Sequence, residues 1–304
     1  MSQSPEMPTQ TLLEIRHFID SSIASENRNI NFEDISARIE GFEHEAKEQQ
    51  LEALILLGYF LKKDAKKTFK LLGEYRAICV ESGKQAYFDS FMARCEEMVY
   101  PRSLTVHGYS RTINTDNSEL LTKGILAVVE AMDKIGYKIF INSGTLLGIV
   151  RENGYIPHDD DVDFGLLLHA SDPVSAAHEW IELQKTMQEK GLLKHIGWMG
   201  GIFKTSNIGV FSVDLFPAWI EGDSVYVYPH TFGELKREDV LPLRKSESFD
   251  LPIPNCPEKM LEINYGPNWK IPDPLFRFHW GKARKKFDTF LTITEILDPR
   301  KAKA

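Results

Sequence analysis

Four aspartates fall within five residues near the middle of the chain: Asp159, Asp160, Asp161 and Asp163, in the run IPHDDDVDFG. Like charges at this spacing repel, so solvent or a cation must compensate them. The segment DVDFGLLL has the apolar character of a strand, and side chains on a strand alternate faces. Asp161 and Asp163 then point the same way and converge on one position. A divalent cation there would relieve the repulsion, and hard carboxylate oxygens suit Mg²⁺ or Mn²⁺. Mg²⁺ takes one or two carboxylates together with phosphate oxygens, so a phosphate-bearing substrate is the natural further partner. A third acid is available in FSVDLFP, where Asp214 interrupts an apolar run. An acid in such a run needs a partner or a metal.

Upstream, Ser143-Gly144-Thr145 follows the strand-like YKIFI and opens the helix-like TLLGIVRE. Backbone N–H groups and two hydroxyls at such a turn suit a phosphate. Arg151, two turns further on, offers a planar fork to the same phosphate. Taken singly, an acidic run is a solvated loop and Ser-Gly-Thr is a turn. In the order turn, helix, Asp-x-Asp strand, later Asp strand, they predict the core of a nucleotidyltransferase of the DNA polymerase beta type.

The surrounding elements must hold those groups in place. Residues 116 to 132 predict a helix, with Asp116 and Glu119 as a capping box and Leu120, Leu121, Ile125, Val128, Val129 and Met132 on its apolar face. Gly136 is placed to end it in the left-handed conformation. GGIFKTS, IGVFSVDLF and SVYVYP read as further strands. DLPIPNCPEKMLEINYG reads as an extended stretch and then a helix. Residues 280 to 298 predict one final helix with a basic side of Lys282, Arg284, Lys285 and Lys286, which we read as a solvated face.

N-terminal to this mixed region, residues 10 to 98 read as helical hairpins, with Leu54, Leu57 and Leu61, and Phe69, Leu72 and Tyr75, at helical spacing. Gly58, Gly73 and Gly83 are candidate helix ends or kinks. Residues 99 to 115 read as a linker. The expected division is a helical region over residues 1–100 and a catalytic domain over 116–300, together an α+β protein.

The 304 residues carry a net charge of −8, which argues against a nucleic-acid partner. Cys79, Cys95 and Cys256 form no metal-ligand spacing, and so sparse a set fits a reducing compartment. The N-terminal sequence lacks the regions of a signal peptide, and no apolar run reaches the length of a membrane span. A cytoplasmic location follows as an expectation, extended to the inner face of a membrane or to a partner enzyme of the same pathway.

The stretch SGTLLGIVRENGYIPHDDDVDFG closely resembles the signature of the LicD family, which includes phosphorylcholine transferases and fukutin-related proteins. SVDLFP at residues 212–217 and NYGPNW at 264–269 match later family motifs. The resemblance covers about residues 118 to 275. It implies transfer of a phospho-alcohol, such as ribitol phosphate, glycerol phosphate or phosphocholine, from a CDP-activated donor to a hydroxyl of a surface glycan. It also implies that Asp161, Asp163 and Asp214 hold the metal, with Asp214 the candidate proton acceptor. Ser143, Gly144, Thr145 and Arg151 would then hold donor phosphates, and Asp159 would stand in an outer shell with Asp160 facing away. One departure is His158, where the family carries tryptophan; packing behind the acidic loop and proton donation are its two readings. Tyr265 and Trp269 read either as walls of the acceptor pocket or as core. A choline-type donor would call on aromatic faces from Trp198, Trp219, Tyr265 and Trp269. Two other functions are compatible with the motifs: transfer of a nucleotidyl group, and a non-catalytic scaffold built on the N-terminal helices.

Overall fold

The structure, a computed structural model, describes residues 11–42, 47–105, 108–111, 118–157, 159, 161–193, 201–205, 212–273 and 275–298. The chain divides into two compact units, Met1–Thr112 and Ile113–Ala304. The capping box at Asp116 lies outside the described residues.

The first unit is helical: α1 (Leu12–Ala24), α2 (Phe32–Glu40), α3 (Lys47–Leu61), α4 (Ala65–Glu81) and α5 (Gln85–Val99). Thr11 caps α1 in a reciprocal box with Glu14, and Leu12, Ile15 and Ile19 bury its inner stripe. Helix α3 is buried all round from Gln50 to Phe60. That makes it the axis of the unit, in contact with α1, α2, α4 and α5. Its buried Glu52 is matched by Arg16 and by the Tyr75 hydroxyl.

Of the three glycines expected at helix ends or kinks, one stands at an end and two lie inside helices. Gly83 does end α4, with φ +68. Gly58 lies inside α3, where a Cβ would come 2.3 Å from the Thr68 hydroxyl, so its role is close approach of α3 and α4. Gly73 lies inside α4. The expected linker is also partly structured: β1 (Arg102–Thr105) and β2 (Gly108–Arg111) pair as an antiparallel hairpin.

The second unit has a mixed six-stranded sheet flanked by helices, an α+β nucleotidyltransferase-type core. In chain order it contains α6 (Ser118–Lys134), β3 (Lys138–Ile141), α7 (Ser143–Leu147), a wide π turn (Gly148–Glu152), β4 (Asp161–Leu167) and α8 (Pro173–Glu189). Then come β5 (Phe203–Lys204), β6 (Ser212–Glu221), β7 (Ser224–Val227), β8 (Thr231–Lys236), α9 (Arg237–Val240), β9 (Arg244–Lys245), β10 (Pro252–Ile253) and α10 (Pro257–Tyr265). Two helices close the unit, α11 (Trp280–Lys286) and α12 (Asp288–Leu297).

The sheet order is β3-β4-β6-β7-β8, with β5 also on β6. Only the β4–β6 pair is parallel within it. Strand β4 is buried over its five central residues, as expected of a parallel strand covered on both faces. Gly165 of β4 is opposite Phe140 of β3, whose ring lies where a Cβ would be, at 2.3 Å.

Gly136 ends α6 with φ +90, as its position predicts. Helix α8 was not anticipated, although Asp172 caps it and Pro173 occupies its first turn. The single C-terminal helix is instead two, broken at Phe287. That ring is buried against Trp219, Tyr228 and Phe232, so packing rather than local propensity sets the break. No helix among the described residues is long and apolar enough to cross a membrane.

Candidate active site

The site is built on the β4–β6 pair. Its parallel register sets Asp161 opposite Ser212 and Asp163 opposite Asp214. Strand alternation brings Asp161 to the same face as Asp163. Carboxylate oxygens of Asp161, Asp163 and Asp214 all lie within 4.8 Å of one another, and Asp163 and Asp214 are buried. The sequence-derived trio is therefore one cluster, able to hold a metal ion. Carboxylate oxygens this close suit a hard cation.

Electrostatics give the same reading. Burial, followed by the charges of Asp161, Asp159 and Asp214, holds the Asp163 carboxyl well above the usual carboxylate range. The Gly144 N–H, donating to Asp163 Oδ2 at 3.3 Å, opposes that shift. Tyr265 lies within the same field. Burial and then the charges of Asp163, Asp159 and Asp161 push its phenol well up, with Arg151 opposing.

The Ser-Gly-Thr turn leans over β4. The Asp163 N–H donates to Thr145 Oγ1 at 3.0 Å, and the Asn142 N–H donates to the Asp163 carbonyl at 3.0 Å. So Gly144 and Thr145 both hold Asp163 in this structure. Gly144 also leaves room for Asp159: a Cβ there would stand 2.8 Å from Asp159 Oδ2. Ser143 takes a left-handed backbone, φ 46, and its hydroxyl meets His230 Nε2 at 3.0 Å. Burial lowers the His230 imidazole to about 3, leaving it neutral at ordinary pH. Its ring also packs edge-on to Phe278, centroids 4.4 Å apart.

Arg151 is the penultimate residue of the π turn. Its Nε donates to Glu152 at 2.6 Å and its Nη1 to the Trp269 carbonyl at 3.2 Å. That contact ties the NYGPNW motif to the helix that follows the Ser-Gly-Thr turn. Tyr265 therefore stands beside the acids, while Trp269 is buried and braces Arg151 through its backbone. Trp219 is a core residue, fully buried and stacked on Tyr226 with centroids 5.3 Å apart. His158, Asp160 and Trp198 lie outside the described residues.

Two residues at the site escaped the sequence reading. Lys204 Nζ donates to both oxygens of Asp214, at 2.8 and 2.9 Å. His230 sits in the turn between β7 and β8. A lysine in GGIFKTS and a histidine in YPHTF carry no spacing signal, and only the sheet brings them to the acids and to Ser143.

Residues 136–256 match the family described as LicD/FKTN/FKRP, nucleotidyltransferase domain. An uncharacterised protein of Caenorhabditis elegans is 26% identical over 167 residues, covering 49% of this chain and 42% of that protein. An uncharacterised protein of Rickettsia prowazekii (strain Madrid E) is 53% identical over 38 residues, 12% of this chain and 14% of that protein. A Rickettsia typhi counterpart is 53% identical over 38 residues, 12% of each chain. The matched segments thus span less than half the length of these relatives.

Proposed function

Residues 136–256 are a LicD-family nucleotidyltransferase domain, and from that premise we propose that the chain moves a phospho-alcohol from a CDP-activated donor to a hydroxyl of a surface glycan. Ribitol phosphate, glycerol phosphate and phosphocholine are the candidate groups. The observation that carries this reading is the convergence of Asp161, Asp163 and Asp214 within 4.8 Å, beside a turn of hydroxyl and backbone donors.

Mg²⁺ or Mn²⁺ held by the three carboxylates would neutralise charge on the reacting phosphoryl oxygens. Thr145 and Gly144 keep Asp163 in place for that task. Ser143, held by His230, and Arg151, held by Trp269, face the donor phosphates. The acceptor oxygen attacks the distal phosphorus as the bond from that phosphorus to the CMP oxygen breaks, and CMP leaves. The acceptor proton passes to Asp214. Tyr265 supplies a polar aromatic wall, and Asp159 supports the acidic loop from outside. The protein then acts where its glycan acceptor is made, at the cytoplasmic face of a membrane or beside a pathway enzyme.

A thermal-shift screen of the full chain tests this reading. CDP-ribitol, CDP-glycerol, CDP-choline, CTP and UDP-sugars are each added with and without Mg²⁺. Binding to the native state raises the melting temperature by mass action. The expected result is a Mg²⁺-dependent shift with one CDP-alcohol, absent in Asp161→Asn. No shift with any cytidine nucleotide rejects the CDP-dependent transferase.

A further inference from the structure

Three side chains stand in one row across the sheet. Asp163 of β4 is opposite Asp214 of β6 on one side, and Lys204 of β5 is opposite Asp214 on the other. Residues in direct register share a face, so the row ends with an ammonium beside the acids. The Lys204 ammonium covers both oxygens of Asp214, at 2.8 and 2.9 Å. Asp214 has only 10% of its side chain exposed, whereas Lys204 has 35%. The lysine is therefore the more exposed partner of the pair.

Resting on the reading of the three aspartates as a cation site, we propose that Lys204 is a charge-exchange residue: it holds Asp214 while no divalent cation is bound, and transfers its ammonium to the donor diphosphate when a cation takes the acids.

The chemistry of the row leads to this. A cation bridging Asp161, Asp163 and Asp214 needs an oxygen of Asp214, and both are engaged by Lys204. Two cations on one carboxylate repel. Lysine carries a compact charge on a flexible four-carbon stem, so its head can give up an oxygen without backbone movement. The group that next arrives at the open side is a diphosphate, for which a lysine ammonium is a suitable point-charge partner. Metal loading and donor capture are thereby coupled through one side chain.

The test measures Mn²⁺ binding to the full chain by the electron paramagnetic resonance signal of free Mn²⁺, and CDP binding at saturating Mn²⁺ by calorimetry. Wild type, Lys204→Met and Asp161→Asn/Asp163→Asn are compared, each checked for folding by circular dichroism. Loss of the competing ammonium should tighten Mn²⁺ binding by about fivefold or more and weaken CDP binding by a similar factor. Lys204→Gln, which keeps a hydrogen bond to Asp214 without the charge, is expected to behave as Lys204→Met does and serves if the methionine variant does not fold. Unchanged Mn²⁺ affinity, or CDP affinity indifferent to the substitution, overturns the exchange and leaves Lys204 a structural ion pair. Absence of Mn²⁺ binding in wild type, or binding that survives Asp161→Asn/Asp163→Asn, overturns the cation site itself and the exchange with it.

Discussion

Asp163 and Asp214 face each other across the parallel pair β4–β6. Two carboxylates in direct register on neighbouring strands are destabilising unless something positive stands between or beside them. Here Lys204 stands beside one and the Gly144 N–H beside the other. The fold has accepted a local cost at the place where the proposed chemistry calls for a cation.

That cost is measurable. Asp163→Asn removes a buried charge from the cluster while keeping an acceptor for the Gly144 N–H. The melting temperature of the metal-free protein should rise, by roughly 2–4 °C for each kcal/mol of repulsion relieved. Stabilisation by added Mg²⁺ should disappear in the same variant. A Mg²⁺ response equal to that of wild type would count against Asp163 as a ligand.

Thr145 is expected to matter through one hydrogen bond. Its Oγ1 accepts the buried Asp163 N–H at 3.0 Å. Thr145→Val keeps the shape and orphans that N–H, at a cost of about 1–3 kcal/mol. Thr145→Ser retains the hydroxyl and should lose less. Urea denaturation of the two variants decides it; a larger loss for Thr145→Ser than for Thr145→Val would mean that the methyl group, not the hydroxyl, is what counts.

Two glycines should separate stability from activity. At Gly165, an added Cβ meets ring atoms of buried Phe140 at 2.3 to 2.8 Å. Gly165→Ala should therefore destabilise by about 1–3 kcal/mol or more through overpacking. At Gly144 the added Cβ meets only the end of the Asp159 side chain, at 2.8 Å. Gly144→Ala should fold with a stability change under about 1 kcal/mol, because a side-chain end can move aside. Its Mg²⁺-dependent transfer should fall at least about tenfold as Asp159 is displaced from the acidic loop. A variant with full transfer activity would exclude Asp159 from the site.

His230 sets a pH dependence. Burial holds its imidazole at about 3 in the folded protein, against an ordinary value of about 6.5. Protonation therefore favours the unfolded chain. Stability is complete above the ordinary histidine value and is lost as pH falls through it toward the folded value. The slope from this residue reaches at most one proton, about 1.4 kcal/mol per pH unit. Stability curves at pH 7, 6 and 5 should be flatter for His230→Gln, which keeps an amide near Ser143 but does not titrate. Parallel curves for the two proteins would show that His230 takes up its proton in the folded state.

How much of this was legible beforehand differs by residue. Asp161 and Asp163 announce themselves, because strand alternation is a local rule and puts both on one face. Gly136 and α6 were readable for the same reason: periodicity and the left-handed stop after a helix operate within a few residues. The Ser-Gly-Thr turn was found, yet the structure gives Gly144 and Thr145 a grip on Asp163 that no spacing predicts. Lys204 and His230 were invisible, since each reaches the site only by pairing or packing with distant strands and turns. The break at Phe287 likewise depends on partners far along the chain, Trp219, Tyr228 and Phe232.

The sequence by itself determined the order of the motifs, the acidic face of β4 and the apolar run that makes a covered strand. Tertiary structure decided which acids meet and what stands beside them. Register across β4, β5 and β6 is the physical reason: a one-residue slip of β6 would turn Asp214 to the opposite face and dissolve the cluster. That register is fixed by the burial of many apolar side chains together, a property of the folded sheet that no short stretch of sequence contains.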